Sequence, residues 1–174
     1  MPSKRPQRLG VYAGSFDPLT IGHLWMIKQG VLLFDRLVVA IGTNLEKTYT
    51  FSLEERMDML RESLRSFRNV SVTSFSNRYL INFAQALGAT HVLRGIRSES
   101  DYEYERTMRY INGDLGGDIC TVFLMPPRDI AEVSSSMVKG LVGPQGWEEV
   151  VRKYVPEPVY CRLLESPTNQ DPGS

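Results

Sequence analysis

The stretch Gly14-Ser-Phe-Asp-Pro-Leu-Thr-Ile-Gly-His23 (GSFDPLTIGH) decides how the rest of the chain is read. It follows an apolar run, Leu9 to Ala13, and precedes helical spacing that begins at Leu24. An apolar run, a turn rich in Gly, Asp and Pro, and then a helix make a strand-to-helix junction. Thr20-Ile-Gly-His23 places an imidazole in the first turn of that helix, beside free backbone N–H groups that favour anions. Gly22 lets a ligand come close to the backbone. In the purely structural alternative Asp17-Pro18 forms a turn, Thr20 caps the helix and His23 packs quietly. For TxGH alone the two readings carry equal weight, so the surrounding chain has to decide.

Outward from this junction the alternation repeats. Apolar, β-branched runs recur as LGVYAG from Leu9, RLVVAIGT from Arg36, NVSVTSF from Asn69, THVLRG from Thr90 and ICTVFLM from Ile119. Each is bounded by turn or polar residues, as a buried strand requires. Between them, Leu24 to Phe34, Leu53 to Leu64, Tyr79 to Leu87 and Asp101 to Leu115 carry helical spacing. Strand alternating with helix predicts an α/β fold, a doubly wound five-stranded parallel sheet. Ser52 followed by Glu54 and Glu55 is an ordinary helix start with no chemistry of its own. Pro126 and Pro127 stop the fifth strand, and SSSMVKGLV, WEEVVRKYV and PVYCRLLE read as short C-terminal helices. Residues 1–8 read as a flexible N-terminus, 9–165 as a single domain and SPTNQDPGS, 166–174, as a disordered tail.

The bulk composition narrows the function classes. With 174 residues, 42% of them hydrophobic, the chain can build a core that needs no staples. Lysine plus arginine equals aspartate plus glutamate at 20 each, so there is no global basic field, and no basic stripe with interleaved aromatics to bind nucleic acid. The start MPSKRPQRLG lacks the apolar core of a secretory signal, and no apolar run reaches the ~20 residues that span a bilayer. The expectation is a cytoplasmic protein with neither a membrane nor a nucleic-acid partner. Cys120 and Cys161, far apart in apolar surroundings, read as buried thiols of a reduced compartment.

In an open parallel sheet, ligands bind beyond the carboxyl ends of the strands, near where strand order reverses. Gly14 to His23, Gly42 to Lys47, Ser76 to Leu80, Arg94 to Arg97 and Pro126 to Ser136 all fall at such ends. Arg94-Gly-Ile-Arg97 offers forked, permanently charged donors suited to phosphate. Ser134-Ser135-Ser136, ahead of an apolar helical pattern, makes a second anion site from hydroxyls and N–H groups. Lys47 and the charged run Glu99 to Arg109 are bland alone. Together these elements put three phosphate-competent groups and a histidine at one sheet edge. His91, at the start of a strand, reads as structural. The sequence holds no metal-ligand spacing, no GxxxxGK[ST] phosphate loop and no GxSxG elbow, which disfavours protein-held zinc and a covalent serine mechanism.

GSFDPLTIGH, TFSLEER, FSNRYLINFA, RGIRSESDYEYE and VFLMPP…VSSSMVK resemble, in order and spacing, the bacterial phosphopantetheine adenylyltransferases of the TxGH/HxGH nucleotidyltransferase superfamily. The resemblance spans residues 9 to 165. It implies a Rossmann-like fold, a homo-hexamer, Mg²⁺ with ATP, and transfer of AMP from ATP to 4′-phosphopantetheine. By the same resemblance Ser15 and Phe16 contact substrate and ATP, His23 stabilises the transition state, and Lys47, Leu80 and Arg94, with Ser15, hold the acceptor. Gly95, Ile96, Arg97, Glu105, Ile130, Ala131, Glu132, Val133, Ser134, Ser135 and Ser136 are implied for the ATP site.

The chain departs from the family pattern in three places. Ala13-Gly14-Ser15 stands where the family usually has Pro-Gly-Thr, and the hydroxyl is kept. Phe75-Ser-Asn-Arg-Tyr-Leu80 is one residue longer than the family's segment, which faces the pantetheine arm. Asp129-Ile-Ala-Glu-Val133 lacks the aromatic that often precedes the serine run. Two alternatives therefore stay open: a sister nucleotidyltransferase using another phosphorylated acceptor, such as nicotinamide mononucleotide or a sugar phosphate, and a non-catalytic nucleotide-binding protein.

Overall fold

The structure is a computed structural model describing residues 7–44, 46–115 and 118–165. The predicted disordered tail lies outside the described residues, as do residues 1–6 of the predicted flexible N-terminus. Arg8, the last residue of that N-terminal stretch, is tied down through its N–H, which donates to the Asp35 carboxylate at 2.8 Å.

Strands and helices alternate as the sequence predicts: β1 (Leu9–Gly14), α1 (Ile21–Leu33), β2 (Arg36–Thr43), α2 (Leu53–Leu64), β3 (Val70–Ser76), α3 (Leu80–Ala86), β4 (His91–Gly95), α4 (Glu99–Asp114) and β5 (Cys120–Leu124). Three short helices follow: α5 (Ser135–Leu141), α6 (Trp147–Val151) and α7 (Glu157–Glu165). The five strands are all parallel, in the order β3-β2-β1-β4-β5. This is the doubly wound, Rossmann-like arrangement. The chain reverses direction across the sheet between β1 and β4, so a crevice opens at the carboxyl ends of those two strands.

Alternating side chains of the strands separate the core into two layers. Tyr12, Leu37, Val39, Ile41 and Leu93 face α1, α2 and the C-terminal helices, while Val11, Ala13, Val38, Ala40 and Val92 face α3. Helix α1 lies close on the first layer because Gly30 has no side chain: a Cβ there would sit 2.9 Å from a Leu37 methyl. Helix α4 is different. Of its 16 residues only Glu105 is buried, so the helix stands along the rim of the crevice with one carboxylate turned inward.

Two expectations need correction. Cys120 and Cys161 are both exposed. Cys120 lies on β5, an edge strand with a neighbour on one side only. On α7 the buried residues are Val159 and Leu163, four apart, which puts Cys161 between them on the outward face. Helix α1 also starts at Ile21 rather than Leu24, and α4 at Glu99 rather than Asp101, because Thr20 and Ser98 cap them. Ser52 does no more than cap: it and Glu55 form a reciprocal capping box.

Candidate active site

The loop from Ser15 to Thr20 is held by two neighbouring elements. Buried Asp17 accepts the N–H groups of Thr50 and Phe51, each at 2.9 Å, and pairs with the Lys139 ammonium at 3.2 Å. The loop before α2 and helix α5 are thereby fastened to the loop after β1. Ser135, also on α5, adds a further tie, its hydroxyl donating to the Pro18 carbonyl at 2.8 Å. Phe16 takes a left-handed φ of 47° that drives its ring into the core, edge-on to Tyr12 and His23 with centroids 5.6 and 5.1 Å away. It supports His23 from the core side and lines neither of the two cavities at the carboxyl ends of β1 and β4.

Thr20 and His23 form a capping box in which histidine stands where glutamate or glutamine usually does. The Thr20 backbone N–H donates to Nδ1 of His23 at 3.1 Å. A backbone amide can only donate, so Nδ1 is unprotonated and the ring's proton sits on Nε2. Burial, aided by the positive charge of Arg97, pushes the pKa of His23 down to about 4. The imidazole is therefore neutral at pH 7, and Nε2–H is its only donor. Of the first-turn amides, Ile21 donates to the Tyr154 carbonyl and His23 to the Thr20 hydroxyl. Among the described residues this leaves the Gly22 N–H without a protein acceptor, a smaller anion site than the sequence reading foresaw.

Two adjoining cavities open at the carboxyl ends of β1 and β4. The first, about 410 Å³, is lined by Ser15, Gly22, His23, Gly95, Arg97, Glu105, Ile130, Val133 and Ser134 to Ser136. The second, about 350 Å³, is lined by Ser15, Lys47, Leu80 and Arg94, and also by Tyr49, Tyr79, Met108, Arg109 and Asn112. Gly14, Ser15, Arg94 and Glu105 wall both. All four residues that the resemblance assigned to the acceptor thus meet in one cavity. Of those assigned to ATP, Phe16, Ile96, Ala131 and Glu132 line neither. A larger hollow, an open groove of about 940 Å³ between α2 and α7, shares no residue with these two and gathers none of the predicted site residues.

The charges in the crevice are arranged in pairs. Arg94 donates to one oxygen of buried Glu105 through Nε, at 2.8 Å, and through its second terminal nitrogen, while the first reaches the Ala13 carbonyl at 3.3 Å. Burial opposes the arginine's charge, but its hydrogen bonds to Glu105 and the charge of that carboxylate outweigh burial and raise its pKa further. Arg97 pairs with Asp101 at 3.0 Å. Tyr12, behind them, has its ionisation raised by burial and stays neutral. Ser134 caps α5 by accepting the Met137 N–H at 3.1 Å, and Ser135 is committed to Pro18. The triple serine therefore offers its first-turn N–H groups more than three free hydroxyls. His91 is structural, its Nδ1 2.7 Å from the Thr90 hydroxyl and its ring against Phe34.

Sequence reasoning missed Arg56, Tyr49, Asp17 and Lys139 as parts of the site's frame. A signal for Arg56 was present: it falls four and eight residues before Leu60 and Leu64, on the apolar stripe of α2 where a cation does not belong. Tyr49 and Lys139 carry no such signal.

Among the described residues no group of three His, Cys, Asp or Glu side chains could hold a metal ion. A crevice with neutral imidazole, two arginines, a lysine and helix N-termini at the switch point of a parallel sheet defines a nucleotidyltransferase. Residues 11–141 match the family described as cytidylyltransferase-like. The chain belongs, more narrowly, to the phosphopantetheine adenylyltransferase family. It is 59% identical over 160 residues to the phosphopantetheine adenylyltransferase of Chromobacterium violaceum, covering 92% of this chain and 98% of the relative. Against that of Neisseria meningitidis serogroup B it is 58% identical over 157 residues, covering 90% and 92%. The solved nicotinic acid mononucleotide adenylyltransferase of Plasmodium falciparum, complexed with NaAD, shares the fold: TM-score 0.65 at 14% identity, covering 92% of this chain and 95% of that one.

Proposed function

We infer that the protein transfers the adenylyl group of ATP to 4′-phosphopantetheine, giving dephospho-coenzyme A and pyrophosphate. One observation carries the chemistry: two cavities, one with His23 and one with Lys47, share Ser15 and Arg94 as a common wall. That is the layout needed to bring two anions end to end.

The acceptor phosphate is already anionic at neutral pH, so no general base is needed. Its oxygen attacks the α-phosphorus, a P–O bond forms, and the bond from the α-phosphorus to the bridging oxygen breaks with the electron pair leaving on pyrophosphate. Catalysis of such a transfer is mostly positioning and charge stabilisation. His23 donates Nε2–H to a non-bridging α-phosphate oxygen as charge builds. Lys47 and Arg94 align the acceptor phosphate, and Leu80 packs against its apolar arm. Gly95, Arg97, Ile130 and Val133 to Ser136 receive ATP, with the open amides at Gly22 and at the start of α5 turned to its phosphates.

Mg²⁺ fits this site as the counter-ion carried by ATP. The crevice carboxylates Glu105 and Asp101 are already paired with Arg94 and Arg97, so phosphate oxygens and water would hold the ion, which supplies neutralisation of the polyphosphate. Assembly as a homo-hexamer belongs to the same proposal, and exposed Leu32, Tyr79, Tyr110 and Ile111 offer apolar surface for it. So does a cytoplasmic location; among the described residues no helix is long and apolar enough to cross a membrane.

The test is pyrophosphate release from ATP across a panel of phosphorylated acceptors. Release with 4′-phosphopantetheine is expected. Release with nicotinamide mononucleotide or a sugar phosphate alone would move the protein to a sister activity. ATP binding with no turnover for any acceptor would make it a nucleotide-binding protein. Light scattering of the purified chain checks the hexamer.

A further inference from the structure

We propose that Tyr49 and Arg56 form a positioning device that holds the Lys47 loop in register with Ser15, and so sets where the acceptor phosphate is gripped. The proposal rests on the adenylyl-transfer reading given above.

Arg56 is 2% exposed, yet among the described residues it has no carboxylate partner. Its contacts are carbonyls: Nε donates to Phe51 at 3.1 Å and Ser52 at 3.3 Å, and a terminal nitrogen donates to Ser15 at 2.9 Å. Tyr49 supplies the remaining face, its ring centroid 4.0 Å from the guanidinium carbon. A buried cation without a counter-ion is costly, and an apolar residue would fill the stripe of α2 at lower cost. What only arginine does here is reach the Ser15 carbonyl and a stacked aromatic ring with one rigid plane.

Tyr49 passes that fixed point to Lys47. Its hydroxyl accepts the Asn44 N–H at 2.9 Å. Asn44 in turn folds the loop, its carbonyl accepting the Lys47 N–H at 3.1 Å and its side chain the Glu46 N–H at 2.9 Å. A chain of contacts therefore runs from Ser15 through Arg56, Tyr49 and Asn44 to Lys47. Lys47 itself is an exposed side chain on a loop without regular structure, so its precision has to come from this chain.

Steady-state kinetics on the full chain with 4′-phosphopantetheine test the proposal. Tyr49→Leu is expected to raise the acceptor KM on the order of 10-fold, as for a displaced binding group, with the ATP KM held within about two-fold. Tyr49→Phe keeps the ring on Arg56 and should recover part of the loss. In a Lys47→Ala background, Tyr49→Leu should add almost nothing, because the residue it positions is gone. Arg56→Lys should reproduce the Tyr49→Leu pattern; where a thermal melt shows it unfolded, the Tyr49 series decides. An equal rise in both KM values, no rise in the acceptor KM, or a full Tyr49→Leu effect without Lys47 would each overturn the proposal. Wild-type protein silent with phosphopantetheine would instead overturn the functional reading on which it rests.

Discussion

Nδ1 of His23 accepts the backbone N–H of Thr20 at 3.1 Å, and this one bond fixes which nitrogen of the ring is left to act. The sequence motif offered capping and phosphate binding as rival readings, but in the structure the cap is what aims the imidazole. His23→Ala is expected to lower kcat on the order of 10²-fold or more, as for loss of a preorganised donor, with ATP affinity nearly intact. Turnover within a few-fold of wild type in a pyrophosphate-release assay would remove His23 from the mechanism.

The burial of the same imidazole makes a pH prediction. Burial lowers the His23 pKa from its ordinary 6.5 to about 4. The unfolded chain therefore binds more protons than the folded one between those values, and stability rises with pH across that window. The contribution is complete above pH 6.5 and is lost as pH falls toward 4. A nitrogen-detected NMR titration of the unliganded protein should show the His23 ring neutral, with the proton on Nε2, at pH 5.5. An imidazole already half charged at pH 6 would refute the assignment.

The strand and helix spans were legible because both signals are local: β-branched runs between turn residues, and apolar spacing after a cap. The residues at the strand ends were legible for the same reason, since a parallel sheet delivers all such ends to one edge. Burial of the cysteines was not, because apolar neighbours in sequence do not say which way β5 and α7 turn them. Nor were the pairings inside the site. That Arg94 is engaged by Glu105, 11 positions on, or Asp17 by Lys139, 122 positions on, depends on tertiary packing that no spacing encodes.

The Arg94–Glu105 pair predicts a trade between stability and anion affinity. Glu105 is buried and its carboxylate accepts two donors of Arg94. Glu105→Ala leaves a largely desolvated guanidinium without its partner. Loss of charged hydrogen bonds of this kind costs roughly 1.5–3 kcal/mol, a fall of roughly 3–12 °C in Tm for a chain of this size. The freed positive charge should at the same time tighten binding of inorganic pyrophosphate. Calorimetry and a pyrophosphate titration measure both; an unchanged Tm would mean that the pair contributes little to the fold.

Gly22 makes the last prediction, and it separates close approach from backbone freedom. A Cβ at this position would lie 3.1 Å from the Val133 carbonyl oxygen and 3.8 Å from that of Ile130. The Ile130 distance is ordinary van der Waals contact, but the Val133 contact is tight, and its carbonyl belongs to the backbone segment that leads into α5 and walls the first cavity, so it cannot swing aside as a flexible side chain would. Gly22→Ala must push this segment away from α1, and with it the N–H groups of Ser135 and Ser136. The helix gains at most about 0.5–1 kcal/mol from alanine so near its start, which offsets the cost of the shift, so the melting temperature should change little. The ATP KM should rise several-fold while the acceptor KM holds, because the second cavity does not contain this residue. A variant with unaltered ATP kinetics would show that the segment from Ile130 to Val133 yields without disturbing the N–H groups at the start of α5.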